Sequence, residues 1–127
     1  MTCYAIGLLH GVRGWGRTSS TYLQGIEATL APFGGRFRIH GGPREVLEGS
    51  GERDLIVIGF PDRVAARAWY NSPAYQALLP LRRRNAQGAV FLIDEVEEGH
   101  HATDILRAGQ GHSPRSKKGR RQSLPAA

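Results

Sequence analysis

Residues 54–76 read DLIVIGFPDRVAARAWYNSPAYQ, and this stretch decides the fold because it joins a buried strand to two helical segments. Its first seven residues, 54–60, form the most apolar run in the chain. An apolar run of this length, bounded by a turn residue, predicts an interior strand covered on both faces. Pro61 follows at once and marks the end of that strand.

The helical part of the stretch carries two start signals. Asp62 is suited to cap a helix over residues 63–71, because its carboxylate can accept hydrogen bonds from the free N–H groups of the first turn. The apolar face of this helix, 63–71, is predicted to comprise Ala65, Ala68 and Trp69. Ser72-Pro73 repeats the signal with a capping serine and a proline at the first helical position. A second segment is therefore expected over 74–79, which Pro80 interrupts.

Upstream of this stretch the pattern predicts a strand and a helix. Residues 3–9 form a short apolar run closed by glycine, which is typical of a buried strand. Residues 18–20, Thr-Ser-Ser, offer capping side chains for a helix. One apolar face then recurs at helical spacing, through Tyr22, Ile26, Leu30 and Phe33. Gly34 is suited to the left-handed conformation that ends a helix.

Three further extended segments complete the domain. Residues 36–40 alternate polar and apolar side chains, as a half-buried strand does. Residues 44–49 are predicted to extend that strand as a short edge after a Gly-Gly-Pro turn. Residues 89–96 form an apolar run that predicts the last strand.

The resulting order, β-α-β-β-α-β, predicts an α+β ferredoxin-like plait with both helices on one face of a four-stranded sheet. The other face then carries alternate residues of very apolar strands, and monomers rarely expose a patch of that size. A second copy packed sheet to sheet, giving a dimeric α/β barrel, is the expected solution. The alternative is a lone domain whose open face is partly polar.

The charge pattern divides the chain into a domain, residues 1–97, and a basic tail, residues 98–127, predicted to be disordered. The net charge is +6, yet residues 1–98 hold 11 arginines and no lysine against 10 acidic residues. Residues 99–127 hold six basic residues and one acidic residue. The positive charge therefore lies in the tail, which weakens the case for a nucleic-acid surface on the folded domain. The tail has few aliphatic and no aromatic residues, so it cannot bury enough surface to become ordered.

Several classes of protein do not fit the sequence. The single cysteine, Cys3, allows no disulfide within the chain, and it is expected to be a small core residue rather than a nucleophile. No apolar stretch approaches the length of a membrane span, and the N-terminus lacks the features of a signal peptide. No phosphate loop, nucleotide fingerprint or zinc motif is present. We expect a cytoplasmic protein without a metal or a cofactor.

The segments GGRF (34–37), VLEG (46–49), LIVIGFP (55–61) and above all WYNSPAY (69–75) resemble the DUF1330 family, a family of domains of unknown function. The resemblance covers residues 4–96. It implies a dimeric α/β barrel of ferredoxin-like protomers and no established reaction.

The chain departs from the family pattern at four places. Ala5 stands where relatives carry an aromatic residue, His40 where an arginine is common, and Gly59 where relatives hold a glutamate. A longer segment, residues 11–19, replaces the usual entry to the first helix. If any of these positions serves a site in relatives, we expect that site to be altered or lost here.

A cluster of polar and aromatic residues is the candidate ligand-binding site: Tyr70, Ser72, Tyr75 and Arg82. Tyrosine combines an apolar ring with a hydroxyl tip, and arginine presents a planar fork suited to a carboxylate or a phosphate. Such a set can line a cleft for a small acid or an aromatic ligand. In the structural alternative, the serine only caps its helix and the aromatic rings only fill the core.

His40 and His10 are weaker, catalytic candidates. Each ends a predicted strand, and the two can act as acid and base only if they meet across the sheet. No carboxylate is spaced to orient either ring, so two surface histidines are the alternative. In the tail, His100, His101 and His112 lack the geometry of a dedicated metal site.

Two hypotheses on function arise from these observations. In the first, a homodimer binds a small organic molecule in a cleft between sheet and helices. Other dimeric α/β-barrel proteins that resemble it include cofactor-independent monooxygenases and isomerases, which is an analogy of fold. In the second, the protein is a non-catalytic interaction module whose basic tail, with its run at 115–121, contacts an acidic partner or nucleic acid. A solvated tail that aids solubility is the structural alternative to that contact, and a decayed site on an intact fold is a third possibility.

Overall fold

The structure is a computed structural model, and it describes residues 1–10, 17–51 and 53–106. Its elements follow in the order β1 (Cys3–His10), α1 (Arg17–Leu30), β2 (Arg36–His40), β3 (Asp54–Phe60), α2 (Arg63–Tyr70), α3 (Pro73–Asn85) and β4 (Gln87–Asp94). A single 3₁₀ turn, Ala31–Phe33, extends α1, and Gly34 ends it in the left-handed conformation with φ 72°. This confirms the predicted end of the helix. Glycine suits the position because a residue without a Cβ adopts the left-handed conformation at little cost.

The four strands form one antiparallel sheet in the order β2-β3-β1-β4. Strand β1 pairs with β3 on one side and with β4 on the other, and β2 pairs with β3 through a bulge between Phe37 and Ile39. This order, with helices against one face, is the predicted ferredoxin-like fold. Strands β1 and β3 occupy the interior of the sheet, where each strand has two neighbours.

Alternate residues along the strands point to opposite faces of the sheet. One face packs against the helices, and its central residues Cys3, Ala5, Ile58 and Phe60 are buried with Trp69 of α2. The opposite face, here called the open face, carries eight apolar residues: Ile6, Leu8, Ile39, Leu55, Val57, Ala89, Phe91 and Ile93. Ile39, Phe91 and Ile93 remain 42–50% exposed. Strand β3 is therefore an interior strand, as predicted. Within one protomer, however, the helices cover only one of its two faces.

Helix α2 begins as predicted, since the Asp62 carboxylate accepts a hydrogen bond of 2.8 Å from the Ala65 N–H. Its buried face is slightly rotated from the prediction. Ala66 and Trp69 are buried, whereas Ala68 is exposed. The burial of Trp69 fixes the rotation of the helix. Ala66, three positions earlier, lies on the same face as Trp69, whereas the adjacent Ala68 does not.

Two predicted segments were wrong. Residues 44–49 form no strand; they belong to an irregular loop in which the Arg44 guanidinium donates to the carbonyls of Gly51 and Arg53, at 3.1 and 2.6 Å. Helix α3 does not stop at Pro80 but continues to Asn85. Pro80 is exposed and Leu79 beside it is buried, so packing against the core maintains the helix although proline donates no hydrogen bond.

The capping residues predicted for α1 lie inside the helix, because it already begins at Arg17. The compact unit of strands and helices comprises Met1–Glu95, and the chain from Val96 onward forms a separate unit. In that second unit, residues 104–106 form a helical turn, in which the His101 N–H donates to Asp104 at 3.0 Å. The rest of the predicted disordered tail, residues 107–127, lies outside the described residues, as do His112 and the basic run.

Candidate functional site

A cavity of about 50 Å³ lies between the sheet and the three helices and is partly open to solvent. A single water molecule needs about 10–15 Å³ of such space, so the cavity has room for a small organic group. Its wall is almost wholly apolar and consists of Ala5, Ile6, Gly7, Leu9, Leu23, Ile26, Phe37, Ile56, Ile58, Trp69 and Val90. Four polar side chains complete the lining: Tyr22, His40, Tyr75 and Arg82.

Two tyrosines bring their hydroxyls together at this cavity. The hydroxyl of Tyr22 on α1 lies 3.1 Å from that of Tyr75 on α3, and both residues are buried. Their rings meet edge to face with centroids 6.3 Å apart, and the Trp69 ring lies 4.2 Å from that of Tyr75. Each phenol thus has its apolar ring in the core and its hydroxyl paired with the other, an arrangement that buried tyrosines favour, and both residues line the cavity.

The environment keeps both phenols protonated. Burial raises the pKa of Tyr22 well above its usual range, and the adjacent Tyr75 raises it further. Burial also raises the pKa of Tyr75, although hydrogen bonding from Tyr22 and the charge of Arg82 partly offset the rise. Desolvation disfavours the phenolate form, so at neutral pH the two hydroxyls are uncharged hydrogen-bond donors.

Arg82 contributes the positive charge of the site. It lies seven residues after Tyr75 on α3, a spacing that places both side chains on the same face of the helix. Its Nε atom is buried and has no hydrogen-bond partner. A buried guanidinium N–H without an acceptor is costly, and such groups are normally paired. Arg82 lines the cavity, so the side chain that carries this unpaired N–H borders the space in which a ligand would lie. Arg82, Tyr22 and Tyr75 together form the polar end of the cavity.

Ser72 positions this site from outside it. Its Oγ donates to the Trp69 carbonyl at 2.7 Å and accepts from the Tyr75 N–H at 3.2 Å, so it caps α3 and joins that helix to the end of α2. Ser72 does not line the cavity. The sequence predicted Ser72 as part of the ligand-binding cluster. In the structure its side chain instead positions Trp69 and Tyr75, which line the cavity.

Tyr70 also lies beside the cavity rather than in its wall. Its ring packs against Tyr75 with centroids 5.6 Å apart and against Trp69 at 6.2 Å. Its backbone carbonyl accepts from the Gln76 side chain at 2.6 Å. Of the predicted cluster, Tyr75 and Arg82 thus reach the cavity, and Tyr70 and Ser72 support them.

The two candidate histidines are not brought together. His40 lines the cavity, and its ring stacks on Phe37 with centroids 4.4 Å apart. His10 is exposed at the end of β1, one residue after Leu9, which lines the cavity. Alternation along β1 directs His10 to the open face, and β3 separates the strands that carry the two histidines. They cannot act as an acid–base pair in this arrangement.

Sequence reasoning assigned Tyr22 and Trp69 to the core and missed their place at the site. Trp69 uses its indole N–H within the core, donating to the Thr29 hydroxyl at 2.9 Å. The signal that pointed to Tyr22 was a hydroxyl-bearing ring on an otherwise apolar helix face. Spacing alone does not reveal which residue of another helix the hydroxyl meets.

Within the described residues, the histidine, cysteine, aspartate and glutamate side chains form no group of three or more that could hold a metal ion. His100 and Asp104 form an ion pair of 3.8 Å in the second unit, and His101 is exposed there. Cys3 is buried and burial raises the pKa of its thiol, as expected of a core residue. None of the helices in this part of the chain is long and apolar enough to cross a membrane.

The sequence profile of the family described as domain of unknown function, DUF1330, matches residues 2–96. The chain belongs to the DUF1330 family. The resemblance carried by the WYNSPAY segment is thereby confirmed, and it covers the whole of the sheet and its helices. A search of curated proteins found no match to this DUF1330 chain.

Solved structures share the fold of this DUF1330 domain. RPA0582, a protein of unknown function from Rhodopseudomonas palustris, superposes with a TM-score of 0.56 at 14% identity, over 76% of this chain and 83% of that one. A dimeric ferredoxin-like protein of unknown function from Jannaschia sp. CCS1 has a TM-score of 0.52 at 19% identity, over 76% and 100% of the two chains. HapK from Hahella chejuensis has a TM-score of 0.50 at 17% identity, over 79% and 98%. At these identities the likeness shows the fold.

Two of the positions at which this DUF1330 chain was expected to depart from the family pattern line the cavity. Ala5 contributes only a methyl group to its wall, and His40 contributes an imidazole. Gly59 points to the open face, where a Cβ atom would lie 3.3 Å from Arg38 and 3.5 Å from Tyr4. Ala5 and His40 therefore contribute to the size and chemistry of the cavity, whereas Gly59 does not line it.

Proposed function

We propose that this protein is a homodimer that binds a small organic molecule in the cavity of each protomer. The observation that carries the proposal is the cavity itself: an apolar space whose few polar lining residues include two neutral tyrosines and an arginine with an unpaired, buried N–H. Ligand sites generally combine a mostly apolar wall with a few polar groups that fix orientation. The cavity has that composition, and it lies between secondary-structure elements rather than on a loop.

The open face supports the homodimer. It gathers apolar residues from all four strands, and Phe91 and Ile93 at its β4 edge are about half exposed. Apolar patches of this kind are typical of surfaces that a partner covers. The Jannaschia protein, which shares the fold, is described as dimeric. A second copy of this chain, packed sheet to sheet, would bury the same residues on both protomers.

Native mass spectrometry of the purified protein tests assembly. We expect twice the chain mass of 13.9 kDa for the wild type and a monomer for Phe91→Glu, because a buried unpaired carboxylate opposes the contact. Val64→Glu is the matched control, since Val64 is 77% exposed on α2 and lies outside the open face. A wild-type monomer at micromolar concentration would refute the homodimer.

Binding is tested through Trp69, which lines the cavity. The chain has two tryptophans, so the measurement uses a Trp15→Phe background in which Trp69 alone fluoresces. We expect short-chain and aryl compounds such as hexanoate, hexanamide and benzoate to change its emission in a saturable way. Gly7→Ala adds one methyl group to the cavity wall, where the nearest side-chain atom is 3.7 Å away, and should weaken binding without unfolding the protein. Failure of every compound to bind would refute the cavity as a ligand site.

The polar end also supplies groups for a cofactor-independent step of the isomerase or monooxygenase type. Such reactions begin with removal of a proton next to a carbonyl, which leaves an enolate oxygen. His40 in the cavity wall can accept the proton, while the tyrosine hydroxyls and Arg82 stabilise the oxygen anion. Deuterium uptake from D₂O into the methyl group of acetophenone tests this step. His40→Ala should abolish the uptake, and His10→Ala, which alters a histidine on the open face, should leave it unchanged.

A further inference from the structure

We infer that the ligand of the cavity is a small, largely apolar carboxylic acid whose carboxylate binds Arg82 and the Tyr22–Tyr75 pair. This inference rests on the proposed function and names the class of molecule that the cavity takes. Three observations carry it: the charge at the polar end, the donors that remain unused there, and the apolar character of the remaining wall.

Among the described residues, no carboxylate serves as a counterion to the charge at the polar end. The ion pair described in the domain joins Arg63 to Asp94, at 3.2 Å, and does not involve Arg82. No aspartate or glutamate is among the described residues that line the cavity. A guanidinium with a buried N–H favours an anionic acceptor, and arginine is the side chain whose planar fork best matches a carboxylate. An acid entering the cavity would supply the counterion.

The hydroxyl pair leaves a second donor for the ligand. Two protonated phenols carry two hydroxyl protons, and the hydrogen bond between Tyr22 and Tyr75 uses one of them. If the Arg82 side chain turns its unpaired Nε–H toward the ligand, one carboxylate meets two donors, one for each oxygen. A phosphate monoester, with three terminal oxygens and a higher charge, would leave acceptors unsatisfied in an otherwise apolar space.

The rest of the wall selects the other half of the ligand. Away from the polar end it consists of aliphatic and aromatic side chains, among them Ile26, Ile58 and Trp69. A hydrocarbon chain or a small ring gains free energy there by leaving water, whereas a polyhydroxylated acid would lose its hydrogen bonds with water. The expected ligand is thus an acid with a compact hydrocarbon body.

The test compares hexanoate with hexanamide, which has the same chain and nearly the same shape but no charge. Both are titrated at pH 7 against the Trp15→Phe protein while Trp69 fluorescence is recorded. We expect hexanoate to bind at least tenfold more tightly than hexanamide. Arg82→Gln should reduce the affinity for hexanoate to that for hexanamide. Arg83→Gln is the matched control, because Arg83 is the next residue of α3 and is exposed.

Each outcome distinguishes the inference from the proposed function. If the two compounds bind equally well to the wild type, the cavity is a ligand site without a preference for acids, and the inference is wrong. If hexanoate keeps its advantage in Arg82→Gln, the carboxylate binds elsewhere and the inference is also wrong. If neither compound binds, the proposed function itself fails. Tyr75→Phe retains the ring and provides a second check, since it should weaken hexanoate binding more than hexanamide binding.

Discussion

The hydroxyls of Tyr22 and Tyr75 lie 3.1 Å apart and join helix α1 to helix α3 at the wall of the cavity. This contact has two consequences. It closes one end of the apolar core with a hydrogen bond between polar atoms, and it leaves one hydroxyl proton of the pair free to donate near Arg82. The stability of the fold and the chemistry of the candidate site therefore depend on the same pair of residues.

Alkaline pH is expected to destabilise the protein through this pair. Burial raises the pKa of both Tyr22 and Tyr75, so the unfolded chain loses these protons at a lower pH than the folded one. The stabilisation is complete below about pH 10, the ordinary tyrosine pKa, and declines as the pH rises above it. Absorbance at 295 nm should show that part of the phenolate signal of the four tyrosines appears only as far-UV circular dichroism is lost.

The variant Tyr22→Phe isolates that effect. It should remove one phenol from the part of the absorbance signal that appears only on unfolding. Its free energy of unfolding should fall less steeply above pH 10 than that of the wild type. Ionisation of all four tyrosines near pH 10 in a protein that remains folded would contradict the burial of this pair.

Ser72→Ala should lower the free energy of unfolding by about 1–2 kcal/mol. The substitution removes the cap of α3 at the Tyr75 N–H and the hydroxyl donor to the Trp69 carbonyl, which keeps the Ser72 backbone N–H at 3.0 Å. Urea unfolding, followed by circular dichroism, measures the change. Ser50→Ala is the control, because Ser50 is exposed in the loop between β2 and β3. Equal stability of the two variants would show that the cap contributes nothing.

Thr29→Val should destabilise the protein by about 1–3 kcal/mol although it preserves the volume of the side chain. The Thr29 hydroxyl accepts from the Trp69 indole N–H at 2.9 Å and donates to the Ile26 carbonyl at 2.6 Å. Valine leaves the indole N–H buried and unpaired. Thr29→Ser keeps the hydroxyl, so it should lose less stability than Thr29→Val in the same urea experiment; the reverse order would exclude a role for this hydrogen bond.

Gly35→Ala should cost about 1–3 kcal/mol, because an added Cβ would lie 2.6 Å from the Phe60 ring and 2.8 Å from Leu30. Gly7→Ala makes the same chemical change where the nearest atom, on Ile56, is 3.7 Å away. We expect this variant to change stability by less than about 0.5 kcal/mol. Thermal unfolding compares the two directly, and a lower midpoint for Gly7→Ala than for Gly35→Ala would contradict the packing.

The regular elements were predictable wherever a local signal and the core agreed. Asp62 caps α2, Ser72 caps α3 and Gly34 ends the first helical segment, each at the position that its chemistry indicates. Local signals failed where packing opposed them. Pro80 is typical of a helix end, but its exposed ring is tolerated because buried Leu79 holds the helix against the core.

The candidate site was only partly predictable. Tyr75 and Arg82 were both predicted for the site, but the helix was expected to be interrupted at Pro80. They lie on one helix face, two turns apart, because α3 continues to Asn85. Tyr22 joined them from another helix, a contact between residues 53 positions apart in the sequence. His10 and His40 both end strands, but the strand register directs them to opposite faces. No local sequence pattern predicts that Tyr22 contacts Tyr75 or that the two histidines lie on opposite faces of the sheet.

The sequence by itself determined the order of strands and helices, the caps and the family of this protein. These follow from hydrophobic periodicity and from side chains that hydrogen-bond to their own neighbouring backbone, which are local properties. The tertiary structure alone decided that Tyr22, Tyr75 and Arg82 converge on one cavity and that the Arg82 Nε–H is left without an acceptor. Convergence depends on the packing of α1 and α3 against the sheet, and that packing is set by the volume and shape of the whole core.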